Sequence, residues 1–375
     1  MKALHIYAGP AARATLARHG LQPQHVGTIP GAAGGPKGLI LGPLDRFVFG
    51  EWLPRSSQRV DLVGASIGAW RMATACLNEP VAAFARLEHD YIHQHYELAP
   101  GQKRVSAQQV SETFGRSLLA FYGGRIPEVL RHPRFRLHIV TSRGRHLLRT
   151  EHGLRTPLGY LGAFVTNAVN RRAMGAWLER VVFSSPEGPA LPSSLPFSTS
   201  DYRTRHLALS EANFNPALQA SCSIPFVLQA VHNIPGAPRG AYWDGGITDY
   251  HLHLNYAGAA MGGGGLGKGA GDLPSLVLYP HFQKAVVPGW LDKSLKWRHH
   301  ASPFLDTMVL LAPNPEWVAT LPNAKLPDRT DFTRYGNDLP ARVKAWTTAT
   351  RASAQLADEF AEWLDKPDMG QVLPL

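Results

Sequence analysis

Val60-Asp61-Leu62-Val63-Gly64-Ala65-Ser66-Ile67-Gly68, with the alanine-rich residues 69–76 that follow it, decides the fold. Residues 60–63 have the composition of a strand, residues 69–76 read as a helix, and Gly64-Ala65-Ser66-Ile67-Gly68 is the turn between them. In a G-x-S-x-G elbow the serine sits on a sharp strand-to-helix turn, and the flanking glycines let neighbouring backbone pass without a Cβ clash. The hydroxyl is thereby presented outward, close to helix N–H groups that favour negative charge. The same order occurs upstream, with a strand over residues 25–29, a glycine-rich turn over 31–38 and a helix over 39–52. Strand, glycine turn and helix, twice over, predict an α/β fold in which helices flank a central, mainly parallel sheet and the chemistry lies at the C-terminal strand ends.

Outward from these units, residues 4–7 form a short apolar run and residues 10–19 a helix closed by Gly20. Helices are predicted over 81–96 and 110–119, a strand over 135–141, a helix over 161–181 with strand-like residues at its end, and an irregular Pro- and Ser-rich segment over 184–197. Residues 215–222 read as a helix, 241–243 as a strand ending in Asp244-Gly245-Gly246, and 276–279 as a strand. One long amphipathic helix is expected over 339–364, with Val343, Trp346, Leu356, Phe360 and Leu364 in a stripe suited to core packing. Gly262 and Gly267-Lys268 superficially resemble a phosphate-binding loop. Gly269 stands where a hydroxyl residue would hold magnesium, so residues 258–271 are expected to be a flexible loop. With no internal repeat and no strong linker, residues 1–375 are expected to form one domain, with a motif-bearing core over about 27–280 and a helical part over about 281–375.

A chain of 375 residues, 44% of them apolar and nine of them Trp, can bury a sizeable core. Its formal charge of +10 gives a positive surface that suits anionic lipid headgroups, nucleic acid or acidic metabolites, or that serves solubility alone. The basic residues fall in pairs and short clusters without a zinc-finger or RNP-like pattern, so nucleic acid is not an expected partner. Cys76 and Cys222 are too few for a disulfide framework, offer no C-x-x-C spacing for metal or redox work, and read as small core residues. Residues 1–20 lack the apolar centre of a secretory signal, and no window reaches the roughly eighteen apolar residues that span a bilayer. A cytoplasmic chain, at most peripheral to a membrane, is the expectation.

Three separated segments fit acyl transfer, which needs an oxygen nucleophile, a base to take its proton and N–H donors aimed at the developing oxyanion. Ser66 supplies the nucleophile, Asp244 a carboxylate at a strand end, and Gly34-Gly35-Pro36-Lys37-Gly38 the backbone that can approach a substrate oxygen. Pro36 has no N–H, so the donors must come from Gly34, Gly35 or Lys37.

The chain resembles the patatin-like phospholipase family in four segments that occur in the family's order. They are Gly34-Gly35-Pro36-Lys37-Gly38, Gly64-Ala65-Ser66-Ile67-Gly68, Ala220-Ser221-Cys222-Ser223-Ile224-Pro225-Phe226 and Asp244-Gly245-Gly246, which together span roughly residues 27 to 250. The resemblance implies a three-layer α/β fold and a lipid acyl hydrolase that uses a Ser66–Asp244 dyad, with no catalytic histidine, metal or cofactor. It also implies an oxyanion hole at Gly34, Gly35 and Lys37, an elbow framed by Gly64 and Gly68, and Gly245 and Gly246 supporting the dyad. Two departures stand out: Ala33 replaces the first loop glycine of many members, and Thr248-Asp249-Tyr250-His251 follows Asp244-Gly245-Gly246 where an Asn-Pro pair is common. These positions bear on substrate preference before catalysis.

A free aspartate, with a pKa near 3.9, is a weak base for a serine hydroxyl. Partial desolvation of Asp244 and a helix N-terminus are expected to help it deprotonate Ser66, protonate the leaving alcohol and then activate water. The competing scheme is a Ser-Asp-His triad completed by His251, His253, His281, His299 or His300, all of which follow Asp244. Lys37 can equally meet an anionic headgroup or support its loop. Trp70 and Arg71 are expected to pack or cap, and Tyr242 and Trp243 to lie in the core. The expected partner is a lipid or other ester substrate, with peripheral contact at an anionic membrane surface. Alternatives are a soluble esterase, an acyltransferase, or a catalytically silent lipid-binding protein of the same fold.

Overall fold

Short runs of Val, Leu and Ile with no polar face belong between two helical layers, and five of them do lie side by side. Met308–Pro313, Leu276–Pro280, Val26–Gly31, Val60–Ala65 and Phe135–Gly144 pair in that order, all parallel. The computed structural model from which this is taken describes residues 1–96, 102, 105–188, 191–261 and 275–375. Antiparallel strands flank the parallel centre. Leu4–Ala8 pairs with Met308–Pro313, while Ala241–Asp244 and Leu178–Ser184 both pair with Phe135–Gly144. The α/β class with a mostly parallel sheet between helices is therefore the one the sequence predicts.

Several elements differ in detail. The helix expected over 39–52 is a 3-10 segment, Gly35–Leu41, then the short helix Gly42–Phe47 and a π turn, Val48–Trp52. The helix expected over 161–181 runs over Arg155–Val169 and gives way to a 3-10 turn, Arg171–Ala176, and to the fully buried strand Leu178–Ser184. Within residues 184–197 a small hairpin, Pro186–Gly188 with Leu191–Pro192, occurs. The part beyond residue 280 is not purely helical, because it supplies the central strand Met308–Pro313 and the edge strand Val372–Pro374. The long C-terminal helix divides at Ser353 into Leu339–Ala352 and Ala354–Asp365. There the buried Ser353 hydroxyl donates to the Thr350 carbonyl at 2.7 Å, a local bond that competes with helix propagation. The apolar stripe faces the core as expected, with Phe360 against Phe47 and Trp52 at ring distances of 6.1 and 5.9 Å. The glycine loop expected over 258–271 lies, beyond Met261, outside the described residues.

Candidate active site

Strand register brings two distant residues to one level. Ala65 lies opposite Val140 on one side of the Phe135–Gly144 strand, and Asp244 lies opposite Thr141 on the other. Ser66 and Asp244 thus face each other across the strand between them, over two strand spacings, roughly 10 Å of backbone separation that their side chains can bridge. The Ser66 hydroxyl donates to Asp244 Oδ2 at 2.7 Å, and both residues are buried.

The turn that presents Ser66 is strained. Its φ of 56° and ψ of −130° put a residue with a Cβ where such residues are rare, a conformation that costs on the order of 1–3 kcal/mol. What holds it is the run 220–226. The Ser66 N–H donates to Ser221 Oγ at 3.0 Å, and the Ser221 hydroxyl in turn donates to the Val140 carbonyl at 2.7 Å. The same run accepts the Asp244 N–H at the Ser223 carbonyl, 2.9 Å, and the Gly245 N–H at the Ser221 carbonyl, 3.1 Å. One clamp therefore fixes the backbone on both sides of the dyad. Gly68 is required for close approach, since a Cβ there would lie 1.8 Å from the Gly31 carbonyl oxygen.

Asp244 also accepts the Gly246 N–H at Oδ1, 2.7 Å. Burial raises its pKa above the ordinary carboxylate value, against the lowering pull of the Ser66 hydrogen bond, of Arg329, of the Gly246 N–H and of Lys293. Asp244 is a stronger base here than in water, as deprotonating an alcohol needs.

Gly34 and Lys37 line the same cavity as Ser66 and Asp244, and Gly35 lines the adjoining groove that also reaches Ser66. Gly35 to Lys37 open the Gly35–Leu41 3-10 helix, whose first turn leaves N–H groups without a partner inside the helix. Gly34 has no room for a side chain, because a Cβ would come 2.5 Å from Phe282 Cε1, and Gly35 has a left-handed φ of 57°. The two departures from the family pattern touch each other: the Ala33 N–H donates to the Tyr250 carbonyl at 2.9 Å. Asp249, next to it, is buried and held by both nitrogens of Arg180, at 2.8 and 2.6 Å, and by Arg171, so its carboxyl stays below the usual range and belongs to the scaffold.

Among the described residues, the five histidines of the triad scheme are placed elsewhere. His251 pairs with the Ala285 carbonyl, His253 with the Val286 carbonyl and Ser302, His281 with the Gln283 carbonyl, and His299 with the Asp292 carbonyl. None of them, nor the exposed His300, lines the cavity around Ser66. Burial keeps His251 neutral and takes His281 down to about 3. A Ser-His-Asp chain does exist in the core, where His138 joins Asp61 at 3.1 Å to Ser184 at 2.7 Å. Both His138 and Ser184 are wholly buried, so this chain offers no hydroxyl to a substrate.

Ser66 sits where two spaces meet. On the Asp244 side is a cavity of about 180 Å³ with charged walls, Lys37, Lys293, Asp328 and Arg329, beside Tyr250 and Trp290. On the other is a groove of about 860 Å³ whose floor includes Trp70, Val110, Phe114, Ile224 and Leu228, and which Arg329 and Arg342 also line. Lys293 lies over the Tyr250 ring at 4.1 Å, and this partial burial, with the charges of Arg329 and Lys37, lowers its pKa to about 8. Lys37 sits over Phe282 at 5.4 Å and is likewise lowered by burial. Arg71 packs rather than binds, with two 2.7 Å bonds to buried Asp45, and Trp70 packs on Phe114 and Phe121. Tyr242 and Trp243 are core residues, and both cysteines are buried. The sequence did not single out Ser221, Lys293 or Arg329. Ser221 falls inside a recognised segment, but nothing local marks the other two. Among the described residues, no group of three or more His, Cys, Asp or Glu side chains is placed to hold a metal ion, and no helix is long and apolar enough to cross a membrane.

No protein-family model matches the chain, and no curated protein matches it either. The resemblance to patatin-like phospholipases therefore rests on the four sequence segments alone.

Proposed function

We propose that the protein hydrolyses carboxylic esters of long-chain acyl groups through an acyl-enzyme on Ser66. The observation that carries this reading is the 2.7 Å contact between the Ser66 hydroxyl and Asp244 Oδ2, on a strained elbow, where an apolar groove meets a cationic cavity. Asp244 takes the Ser66 proton as Oγ attacks the acyl carbonyl. The carbonyl oxygen becomes an oxyanion stabilised by N–H donors among Gly34, Gly35 and Lys37. Collapse of this intermediate breaks the bond to the leaving alcohol, which takes the proton back from Asp244. Water then attacks the acyl carbon, giving a proton to Asp244, which passes it to Ser66 Oγ as the bond from that oxygen to the acyl group breaks, and the fatty acid and free Ser66 result.

The position of Asp244 orients the substrate. The leaving alcohol must reach the acid that protonates it, so it occupies the polar cavity with Asp244, and the acyl chain takes the apolar groove. Lys37, Lys293 and Arg329 in that cavity outnumber its carboxylates, Asp244 and Asp328, and favour an alcohol that carries an anionic group, such as a phosphate or carboxylate. The test is fluorophosphonate labelling of the native chain and of Ser66→Ala, followed by a panel of neutral and anionic acyl esters. Labelling confined to Ser66, with hydrolysis lost in Ser66→Ala, is expected. An unlabelled Ser66, or equal turnover by both chains, refutes the reading.

A further inference from the structure

The Arg155–Val169 helix turns its apolar face the wrong way for a helix that packs by burying large side chains. The side against the body of the protein carries Thr156, Gly159, Tyr160, Ala163 and Asn167. The solvent side carries Leu158, Leu161, Phe164, Val165 and Val169 in a continuous stripe, begun by Leu154 just before the helix, with Leu158 59% exposed and Val169 83% exposed. The small residues inside leave no room for the large ones. A Cβ on Gly159 would lie 2.6 Å from Leu148, and one on Gly162 would lie 2.5 Å from Trp177. The helix is thus seated tightly on its small-residue face, and its large apolar side chains are held out in water. Contiguous apolar surface of this kind marks an interaction site.

Charge and position narrow the partner. Residues 145–172 contain Arg145, Arg149, Arg155 and Arg172, besides Arg171, which pairs with Asp249 and Asp292, against a single acidic residue, Glu151, whose carboxylate accepts the Ala230 N–H at 3.0 Å. Arg149 and Arg155 are exposed beside the stripe, as is Leu147. Tyr160, on the inner face of the helix, meets Phe226 and Trp243 edge-on at 6.0 and 6.1 Å. Phe226 is 60% exposed, with a left-handed φ of 69°, and it lines the groove to Ser66 together with the exposed Val227. The inner face of the helix thus reaches the mouth of the groove through Tyr160 and Phe226. A helix of 15 residues is about 22 Å long, too short to span a bilayer but suited to lying in its surface.

We propose that the Arg155–Val169 helix is the surface by which the protein docks on anionic lipid, with the stripe inserted at the acyl boundary and the arginines on headgroups. Docking so placed sets the mouth of the groove against the lipid from which an acyl chain enters. The purpose assigned to docking rests on the lipid hydrolase reading, whereas the binding itself does not.

The experiment is sedimentation of the full Ser66→Ala chain with vesicles of phosphatidylcholine alone, or with about a third phosphatidylserine, at low and high salt. Binding to the anionic vesicles that weakens with salt is expected. Leu158→Glu/Leu161→Glu should weaken it about tenfold or more, and Arg149→Glu/Arg155→Glu should weaken it similarly and flatten its salt dependence. Both pairs, placed in a chain with native Ser66, should melt like the native protein and cleave a dissolved short-chain ester at the native rate. Vesicle binding that is absent, or that is unchanged in both variants, overturns the proposal. So does a native dimer that Leu158→Glu/Leu161→Glu converts to monomer, because the stripe would then belong to a second copy. If the short-chain ester is not cleaved by the native chain while vesicle binding follows the stripe, the hydrolase reading fails and the docking surface stands.

Discussion

Ser221→Ala removes one oxygen from a wholly buried side chain and should disable the nucleophile without touching substrate. The hydroxyl accepts the Ser66 N–H and donates to the Val140 carbonyl. Without it a buried N–H loses its partner, a cost of about 1–3 kcal/mol. The conformation it holds is itself worth a similar amount of strain, on the order of 1–3 kcal/mol, so the elbow is left with less to keep it at φ 56°. At about 1.4 kcal/mol per factor of ten, the fraction of molecules with Ser66 correctly presented should fall by roughly five- to a hundredfold. Tm should drop by roughly 1–4 °C, since a chain of 375 residues loses only about 1.3 °C per kcal/mol. The assay is the rate of fluorophosphonate labelling at a temperature where both chains are folded, alongside kcat and KM for a dissolved ester. A fall in labelling rate and kcat with little change in KM is expected. Ser223→Ala is the control, since that hydroxyl bonds only to the Gln219 carbonyl one helical turn back, and its labelling rate should stay native. If Ser221→Ala melts early yet labels at the native rate, Ser221 is a packing residue and the clamp is refuted.

Two further outcomes follow from the charges. Lys293, lowered to about 8, should lose its proton across an alkaline limb near that pH, so KM for an anionic ester should rise there while KM for a neutral ester stays flat; Lys293→Met should erase the difference. Asp244 has a raised pKa in the fold, so the native state holds that proton more tightly than the unfolded chain does and loses the associated stability as pH climbs through the folded value. Asp244→Asn should therefore melt above the native protein at neutral pH, with the gap closing below about pH 4, while its hydrolysis is lost; a thermal melt series across pH checks the sign.

How far the sequence carries depends on whether the information is local. The elbow, the glycine loop and the Asp244 strand end are local, because each rests on residues adjacent in the chain that must turn sharply or approach backbone closely. The meeting of the elbow with the glycine loop is also implied, since parallel strands bring their C-terminal ends to one edge, whereas Asp244 arrives on a strand antiparallel to its neighbour, a pairing that no local signal gives. The cavity walls are not local. Lys293 and Arg329 come from irregular segments after residue 280, where no period or spacing marks a side chain as facing the site. Met308–Pro313 escaped notice because a short apolar run reads equally as part of a helix until its neighbours in the sheet are known. The end of the helix at Val169 was misplaced for a related reason. Periodicity arguments assume that the large apolar face points inward, and here the inner face is Thr156, Gly159, Tyr160, Ala163 and Asn167.

If Asp244 is the base of the proposed reaction, the cations of the site act against it until substrate arrives. Arg329 and Lys293 hold the pKa of Asp244 down, although burial pushes it up. An anionic group bound between Lys37, Lys293 and Arg329 would offset their charge, and Asp244 would then feel burial with less opposition and become a stronger base. A substrate with an anionic alcohol would in this way strengthen the group that activates Ser66, whereas a neutral ester of the same acyl chain would not. The expected signature lies in the acid limb of kcat, which reports the enzyme–substrate complex: it should fall at higher pH for the anionic ester than for the neutral one, and Arg329→Met should bring the two together. Coincident acid limbs in the native enzyme would mean that the anion binds elsewhere, and that the three cations serve only to solvate the mouth of the site.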